Sequence, residues 1–383
     1  MFSYELEHTD WAARTWILST PHWSIQTPVF MPVGTKSTVK WLENSELDEM
    51  WADIILNNTY HLYLRPGDEV LKHFGWAHKF QNYHKPILTD SGWFQVFSLW
   101  KDNNSGKSLV KITEDGVEFR SYMDGSKHFF SPSRAMDIQS NIWADIIMAF
   151  DECAPGNSSH EYARQAMERT HRWALECVKR WQENEITRKK EWLYPQTLFP
   201  IVQWVTYDDL REESAKFISS LPTLGVAIGG LSVWESKKDM MRTLDVVVPH
   251  IPKEKPRYLM WIWTPEDLVE AIARWIDMFD CVLPTRIWRH GTAFSKYWNK
   301  KMKNLQYKLS DAPIDEDCEC KVCKNYSSGY LRHLAIENEI LWMRLLSYHN
   351  LAYLIHITKR SRKAIEKWEF EEFRKEFWKN YQM

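Results

Sequence analysis

The sequence predicts an α/β fold, a (β/α)8 TIM barrel carrying a small metal-binding subdomain near its C-terminus. Three observations carry this. Short, continuous apolar runs recur with amphipathic helical patterns between them, as expected of parallel strands buried on both faces. A polar residue or glycine stands at or just past the C-terminal end of nearly every run: Asp90, Asp151, Gln203, Gly229-Gly230 and Asp280. From about residue 300 the pattern changes to a Lys-rich loop, a cysteine cluster and then helices.

The runs are 53–56, 86–89, 145–150, 198–202, 225–228, 258–260 and 278–282. Helix-start signals separate several of them. Ser131-Pro132-Ser133 opens one helix, and Thr264-Pro265-Glu266-Asp267 opens another with Thr264 as N-cap and Pro265 at the first helical position. Tyr207-Asp208-Asp209-Leu210 and Ser236-Lys237-Lys238-Asp239 open two more helices. Such alternation suits a barrel or a doubly wound sheet. The polar strand ends favour the barrel, whose enzymes gather reactive groups on that face. The chain reads as one catalytic domain over 1–383, with an inserted subdomain at about 300–352 and C-terminal helices over 353–383 that complete the fold.

Composition narrows the class. Lys and Arg number 49 against 51 Asp and Glu, a formal charge of −2, which excludes a generally basic nucleic-acid binder while leaving room for a local basic face. The first residues lack the basic and apolar regions of a secretory signal, and no apolar run is long enough to span a bilayer. A soluble, cytoplasmic protein is expected. Two counts are out of proportion. Ordinary usage would give roughly 27 glycines in a chain of this length; there are 13, beside 22 tryptophans.

The polar strand ends supply the chemistry. Asp280, flanked by apolar residues, suits attack on an anomeric carbon or steadying of an oxocarbenium-like transition state. Asp90 suits proton exchange with a leaving group or an incoming nucleophile. Two carboxylates on one barrel face fit retaining glycosyl chemistry and equally metal-assisted hydrolysis. Asp151 and Gln203, with backbone N–H groups at Gly230-Leu231, could read the edge of a purine-like ring, and Phe94 and Met260 could cover its faces. Ordinary core packing is the competing reading of Phe94 and Met260. Cys318, Cys320 and Cys323 stand at a spacing that wraps one tetrahedral ion, with His349 as fourth ligand and His333 as its competitor. A site closed by three thiolates and an imidazole is structural.

Assembled, these residues make the chain resemble the tRNA-guanine transglycosylases, or queuine tRNA-ribosyltransferases, along nearly its whole length. The likeness rests on Phe30–Thr35, Leu64–Gly67, Ile87–Gly92, Phe94–Ser98, Phe150–Cys153, Gly229–Leu231, Arg257–Met260, Asp277–Arg286 and the Cys318/Cys320/Cys323/His349 set. The resemblance implies exchange of guanine at the wobble position of tRNAs with G-U-N anticodons, those of the Asp, Asn, His and Tyr type. It implies Asp280 as nucleophile at ribose C1′ and Asp90 as general acid/base. Ser91, Asp151, Cys153, Gln203, Gly229, Gly230 and Leu231 would surround the base, with Phe94, where many members have Tyr, and Met260 sandwiching it. Val233, bulky where queuine-using members are small, favours 7-aminomethyl-7-deazaguanine. Trp261, Thr264, Asp267, Thr285, Arg286 and Arg289 fall in stretches that match RNA-contacting loops. One structural Zn2+ per chain and a homodimer are implied as well. Trp at pocket positions leaves a catalytically impaired tRNA-binding homologue as the chief alternative, with a carbohydrate glycosidase third.

At 41, 51, 76, 93, 143, 204, 234, 261, 263, 275 and 342 the family pattern has glycine and this sequence has Trp. One reading joins the two odd counts: a gene in which UGA means glycine, written out with UGA as tryptophan. UGG codons at Trp93, Trp204 and Trp261 would exclude it.

Overall fold

The structure, a computed structural model, describes residues 2–98, 110–203, 205–231, 235–297 and 299–381. An antiparallel sheet comes first, β1 (Ser3–Asp10), β2 (Ala13–Ser19) and β3 (Ser24–Thr27). Parallel strands follow: β4 (Val29–Gly34), β5 (Ile55–Asn57) and β6 (Ile87–Thr89). A second antiparallel sheet, β7 (Val110–Thr113), β8 (Gly116–Arg120) and β9 (Lys127–Phe130), interrupts them. The parallel series resumes with β10 (Ile146–Met148), β11 (Thr197–Phe199), β12 (Ile201–Val202), β13 (Val226–Ile228), β14 (Arg257–Leu259) and β15 (Met278–Cys281).

Hydrogen bonding orders the parallel strands β11-β10-β6-β5-β4-β15-β14-β13-β12. The two ends of that order are consecutive in the chain, separated by Pro200 alone, which has no N–H for a ladder. Thus β11 and β12 are halves of one strand. The first half pairs with β10 and the second with β13, so the sheet closes as an eight-stranded barrel. All seven sequence-predicted runs are strands of this barrel. The eighth strand, β4, has a fully buried pattern interrupted by Pro32 and was anticipated only as a motif.

Helices α1 (Asn44–Glu49), α2 (Thr59–Leu64), α3 (Asp68–His73), α4 (Trp76–Phe80), α5 (Trp93–Ser98) and α6 (Pro132–Ile142) belong to the first half. The second half has α7 (His160–Lys190), α8 (Asp208–Ser220), α9 (Lys237–Val247) and α10 (Pro265–Ile272). Ser131, Ser236 and Thr264 cap their helices through side-chain oxygens, Thr264 as the sequence predicts and the two serines at predicted helix starts. Tyr207 precedes α8 without a side-chain cap. Two short strands, β16 (Thr292–Ala293) and β17 (Lys300–Lys301), then α11 (Lys321–Asn325) and α12 (Ser328–Glu337), build the cysteine-bearing region. The long α13 (Ile340–Glu366) and α14 (Phe370–Tyr381) return the chain to the barrel.

Leu56, Leu88, Ile201, Ala227, Tyr258 and Met278 share one apolar cluster, the barrel interior, which Leu18 and Ile25 of the antiparallel sheet join. Strand side chains alternate with period two. Two positions beyond those interior residues stand Asn58, Asp90, Gln203, Gly229, Met260 and Asp280. The pleat therefore delivers these groups to the C-terminal mouth.

The left-handed backbone region is unusually populated by tryptophan. Trp11, Trp41, Trp51, Trp76, Trp143, Trp192, Trp261, Trp275 and Trp368 all have positive φ. Each side chain with a Cβ held there costs roughly 1–2 kcal/mol against glycine.

At the opposite end of the barrel, Arg14 grips Asp277, with Nε donating to Oδ1 at 2.9 Å and Nη2 to Oδ2 at 2.7 Å. Both groups are buried, and the backbone N–H of Arg257 also donates to Asp277 Oδ2 at 2.7 Å. Arg14→Met leaves that carboxylate buried without its partner. It should destabilise the fold by about 3–5 kcal/mol, read as a lower urea midpoint at unchanged slope.

Candidate functional site

Asp90 follows β6 and lies against the N-terminus of α2. The Thr59 N–H donates to its Oδ1 at 2.8 Å and the Gly92 N–H at 3.2 Å, while Asn58 Nδ2 donates to Oδ2. Asn58 is placed by its own capping role, its Oδ1 accepting the His61 N–H at 3.0 Å. One amide thus caps a helix and holds a carboxylate, which fixes its orientation. Gly92 supplies the turn at φ +80°, where a Cβ would lie 3.2 Å from the Tyr60 nitrogen.

Asp280 ends β15. The Tyr258 hydroxyl donates to its Oδ1 at 2.7 Å and the Trp261 N–H at 3.0 Å. Oδ2 accepts from no described residue. Asp280 is 3% exposed and Asp90 9%. Burial pushes the Asp90 carboxyl up to about 7, with the nearby Asp280 charge adding to the rise and the three donors opposing it. Burial likewise raises Asp280 to about 6, against its two donors. One rim thus holds two carboxyl groups that exchange protons near neutrality and repel one another when both are charged.

Asp151 is the third buried carboxylate of the mouth. Ser91 Oγ donates to its Oδ1 at 2.9 Å and Gln203 Nε2 to its Oδ2. Burial raises it to about 7. Each oxygen retains a second lone pair, so a ring edge with two N–H donors could still be bound. Gly229 brings backbone against this pair, since a Cβ there would meet Met260 Sδ at 3.3 Å and Gln203 Nε2 at 3.4 Å. Ser91, Phe94, Asp151, Cys153, Gln203, Gly229, Gly230, Leu231 and Met260 line one recess with Trp93 and Trp261. Val233 lies outside the described residues. The Trp261 indole is T-shaped against Phe94, ring centroids 4.0 Å apart, and so covers part of that ring.

Among the RNA-assigned residues, Arg286 and Arg289 are exposed. Thr264 and Asp267 are engaged in capping α10, Thr264 Oγ1 donating to Asp267 Oδ2 at 2.6 Å, and Lys237 binds Asp267 at 3.0 Å. Thr285 is buried, its hydroxyl on the Val282 carbonyl at 3.2 Å.

Cys318, Cys320 and Cys323 converge on His349, their sulfurs 3.9, 3.5 and 3.4 Å from Nδ1. These spacings are close to the ~3.6 Å edge expected between N and S ligands of a tetrahedral zinc ion. His349 Nε2 lies 2.8 Å from the Phe294 carbonyl, which suits an N–H there and leaves Nδ1 bare for a metal. Asn350 fixes that strand end by accepting the Phe294 N–H at 2.9 Å and donating to the Thr292 carbonyl at 3.1 Å. His333 is exposed on α12 and outside the cluster. The donor set fits a closed metal site.

Sequence reasoning missed the supporting residues. Tyr258 and Asn58 hold the two carboxylates. Arg211, fully buried, donates to the carbonyls of Val205 at 2.8 Å, Gly229 at 2.9 Å and Gly230 at 3.2 Å, and so braces the glycine turn. Lys36 and Lys40, in the loop after β4, join Arg286 and Arg289 in one basic cluster whose charges depress Lys40 after burial. Strand parity, two residues on from Leu56 for Asn58 and two before Met260 for Tyr258, is the signal that could have found these two; nothing local marks the others.

Replacing Tyr258 with Phe removes a donor to the charged form of Asp280. Its titration, followed by carboxyl 13C NMR, should move up from about 6 by about one pH unit.

The chain matches the family model "Queuine tRNA-ribosyltransferase" over residues 10–383. It is 49% identical over 382 residues to the queuine tRNA-ribosyltransferase of Fusobacterium nucleatum, covering 99% of this chain and 98% of that one. It is 50% identical over 369 residues to that of Caldanaerobacter subterraneus, covering 96% and 94%. With the one from Herpetosiphon aurantiacus it shares 48% over 381 residues, 100% and 93% of the two chains. Its barrel, carboxylate rim and cysteine cluster are therefore those of a member of the queuine tRNA-ribosyltransferase family, to which this chain belongs.

Proposed function

We propose that this protein is a glycosyltransferase that exchanges guanine at wobble position 34 of tRNAs with G-U-N anticodons for 7-aminomethyl-7-deazaguanine, in queuosine biosynthesis. The observation that carries the reading is the rim itself: two buried carboxyl groups, Asp90 and Asp280, beside a buried pair, Asp151 and Gln203, suited to a purine edge.

Ionised Asp280 attacks ribose C1′ through the oxygen left without a donor. The C1′–N9 bond breaks with its electron pair going to guanine, and protonated Asp90 returns the proton that makes the base a neutral leaving group. The incoming base gives its N9 proton to Asp90 and attacks C1′, and the C1′–O bond breaks to restore the Asp280 carboxylate. Tyr258 and the residue-261 N–H hold Asp280 in line. Ser91 and Gln203 orient Asp151 toward the base's N–H donors, while Phe94 and Met260 take its faces, near Cys153 and Leu231. Val233 limits the 7-substituent. Lys36, Lys40, Arg286 and Arg289 offer the phosphate backbone a local positive surface on a chain of overall charge −2. Zn2+ at Cys318, Cys320, Cys323 and His349 cross-links the subdomain and takes no part in the reaction. Two such chains form the working homodimer in the cytoplasm. A second reading, a tRNA-binding homologue with impaired exchange, is favoured by one observation, the Trp261 indole against Phe94.

Labelled guanine should enter a G-U-N tRNA. Asp280→Asn should lower that rate by at least three orders of magnitude and abolish the RNA adduct on denaturing gels; a surviving adduct identifies another nucleophile. Protein purified without chelator should contain about one zinc per chain, and Cys320→Ser should lose the metal together with thermal stability.

A further inference from the structure

Thirteen described residues other than glycine have positive φ, and nine of them are tryptophan. Residues with a Cβ avoid this region, and Asn or Asp make up most exceptions. The indole N–H of tryptophan lies too far from its own backbone to reward it as a short Asn or Asp side chain does.

The nine do not share a packing environment; they share a left-handed backbone conformation. Trp51, Trp192 and Trp368 stand two residues past a helix end and Trp275 three, each where the chain closes with a six-to-one bond. The bonds are Ala52 N–H to Leu47 O at 2.9 Å, Leu193 to Arg188 at 3.0 Å, Ile276 to Ala271 at 3.3 Å and Glu369 to Ala364 at 2.8 Å. At the end of α12 the same position is filled by Asn338, a residue that tolerates it, with Glu339 bonded to Leu334 at 3.0 Å. Trp11 opens the two-residue turn between β1 and β2, another glycine or asparagine position. Burial does not compensate at the periphery: Trp192 is 95% exposed and Trp11 88%.

Trp261 applies the same backbone to the site. Its left-handed conformation, φ 65°, aims its N–H at Asp280 Oδ1, 3.0 Å away, while its indole takes part of the Phe94 face. Glycine would keep the amide and clear the face.

We infer that the protein its own cell makes carries glycine, not tryptophan, at positions 11, 41, 51, 76, 143, 192, 261, 275 and 368, because UGA in its gene is decoded by a glycine-charged tRNA. Positions 11, 192 and 368 extend the set drawn from family pattern and stand on backbone geometry alone. Replacing nine of 22 tryptophans by glycine takes the glycine count from 13 to 22, nearer the roughly 27 of ordinary usage. The inference holds whichever reaction the rim performs.

Peptide mass spectrometry of the protein from its native cell tests it directly. The peptides spanning 11, 192 and 368 should each be lighter by an indole-bearing side chain exchanged for hydrogen, and the gene should read UGA there. Tryptophan in those peptides, or UGG codons, overturns it. In protein expressed with tryptophan throughout, Trp192→Gly should shift the unfolding equilibrium about five-fold toward the folded state. Trp173→Gly, inside α7, should shift it the other way. A destabilising Trp192→Gly overturns the backbone argument without touching the exchange reaction, which labelled guanine tests separately.

Discussion

The ladder between β15 and β4 is the constraint on which the rest of the molecule depends. Residues almost 250 positions apart are paired there, Met278 with Val29 and Asp280 with Met31, and the pairing turns a curved sheet into a closed one. The Arg14–Asp277 pair bolts the same seam at its base, because Asp277 also accepts the Arg257 N–H and its carbonyl accepts the Val29 N–H at 2.8 Å. Closure fixes which side chains face inward. It thereby brings Asp90, Asp280, Gln203 and Met260 from four strands to one mouth.

That mouth is held at an electrostatic cost. Asp90, Asp151 and Asp280 all have carboxyl groups raised by burial, to about 7, about 7 and about 6. Groups raised in this way contribute stability that is complete below the unfolded carboxylate range and is lost as pH rises through 6 to 7. At neutral pH the fold therefore carries charge it would shed, and the helix N-terminus at Thr59, the Tyr258 hydroxyl and the Ser91–Gln203 donors moderate the penalty. On the proposed reading, a base edge with N–H donors would offset it further at Asp151. Binding and charge stabilisation would then be the same event.

Much of this was legible in the sequence because continuous apolar runs and strand-end polarity are local signals. The seven apolar runs, the helix starts at Ser131, Ser236 and Thr264 and the Cys318/Cys320/Cys323 cluster could be read from neighbours alone. What escaped depends on closure. Arg211 looks like any arginine of an amphipathic helix until α8 is laid beside the Gly229-Gly230 turn. Lys36 and Lys40 acquire meaning only when β4 closes against β15 and brings Arg286 into the same field. The antiparallel sheets were missed as well, since β1 is largely exposed and β7 only half-buried. Asp267, placed by its motif among the RNA-contacting positions, also accepts the Thr264 hydroxyl at the start of α10, a contact its sequence neighbours did not show.

The left-handed tryptophans bear on a question larger than one pocket. A dihedral angle is chosen by the whole fold, through helix ends, strand ladders and core volume, whereas the residue written at that position depends on a single codon. Where the two disagree repeatedly, in nine of thirteen cases for the same letter, the chain's geometry bears on its genetic code. A set of dihedral angles then carries information about which residue a codon specifies.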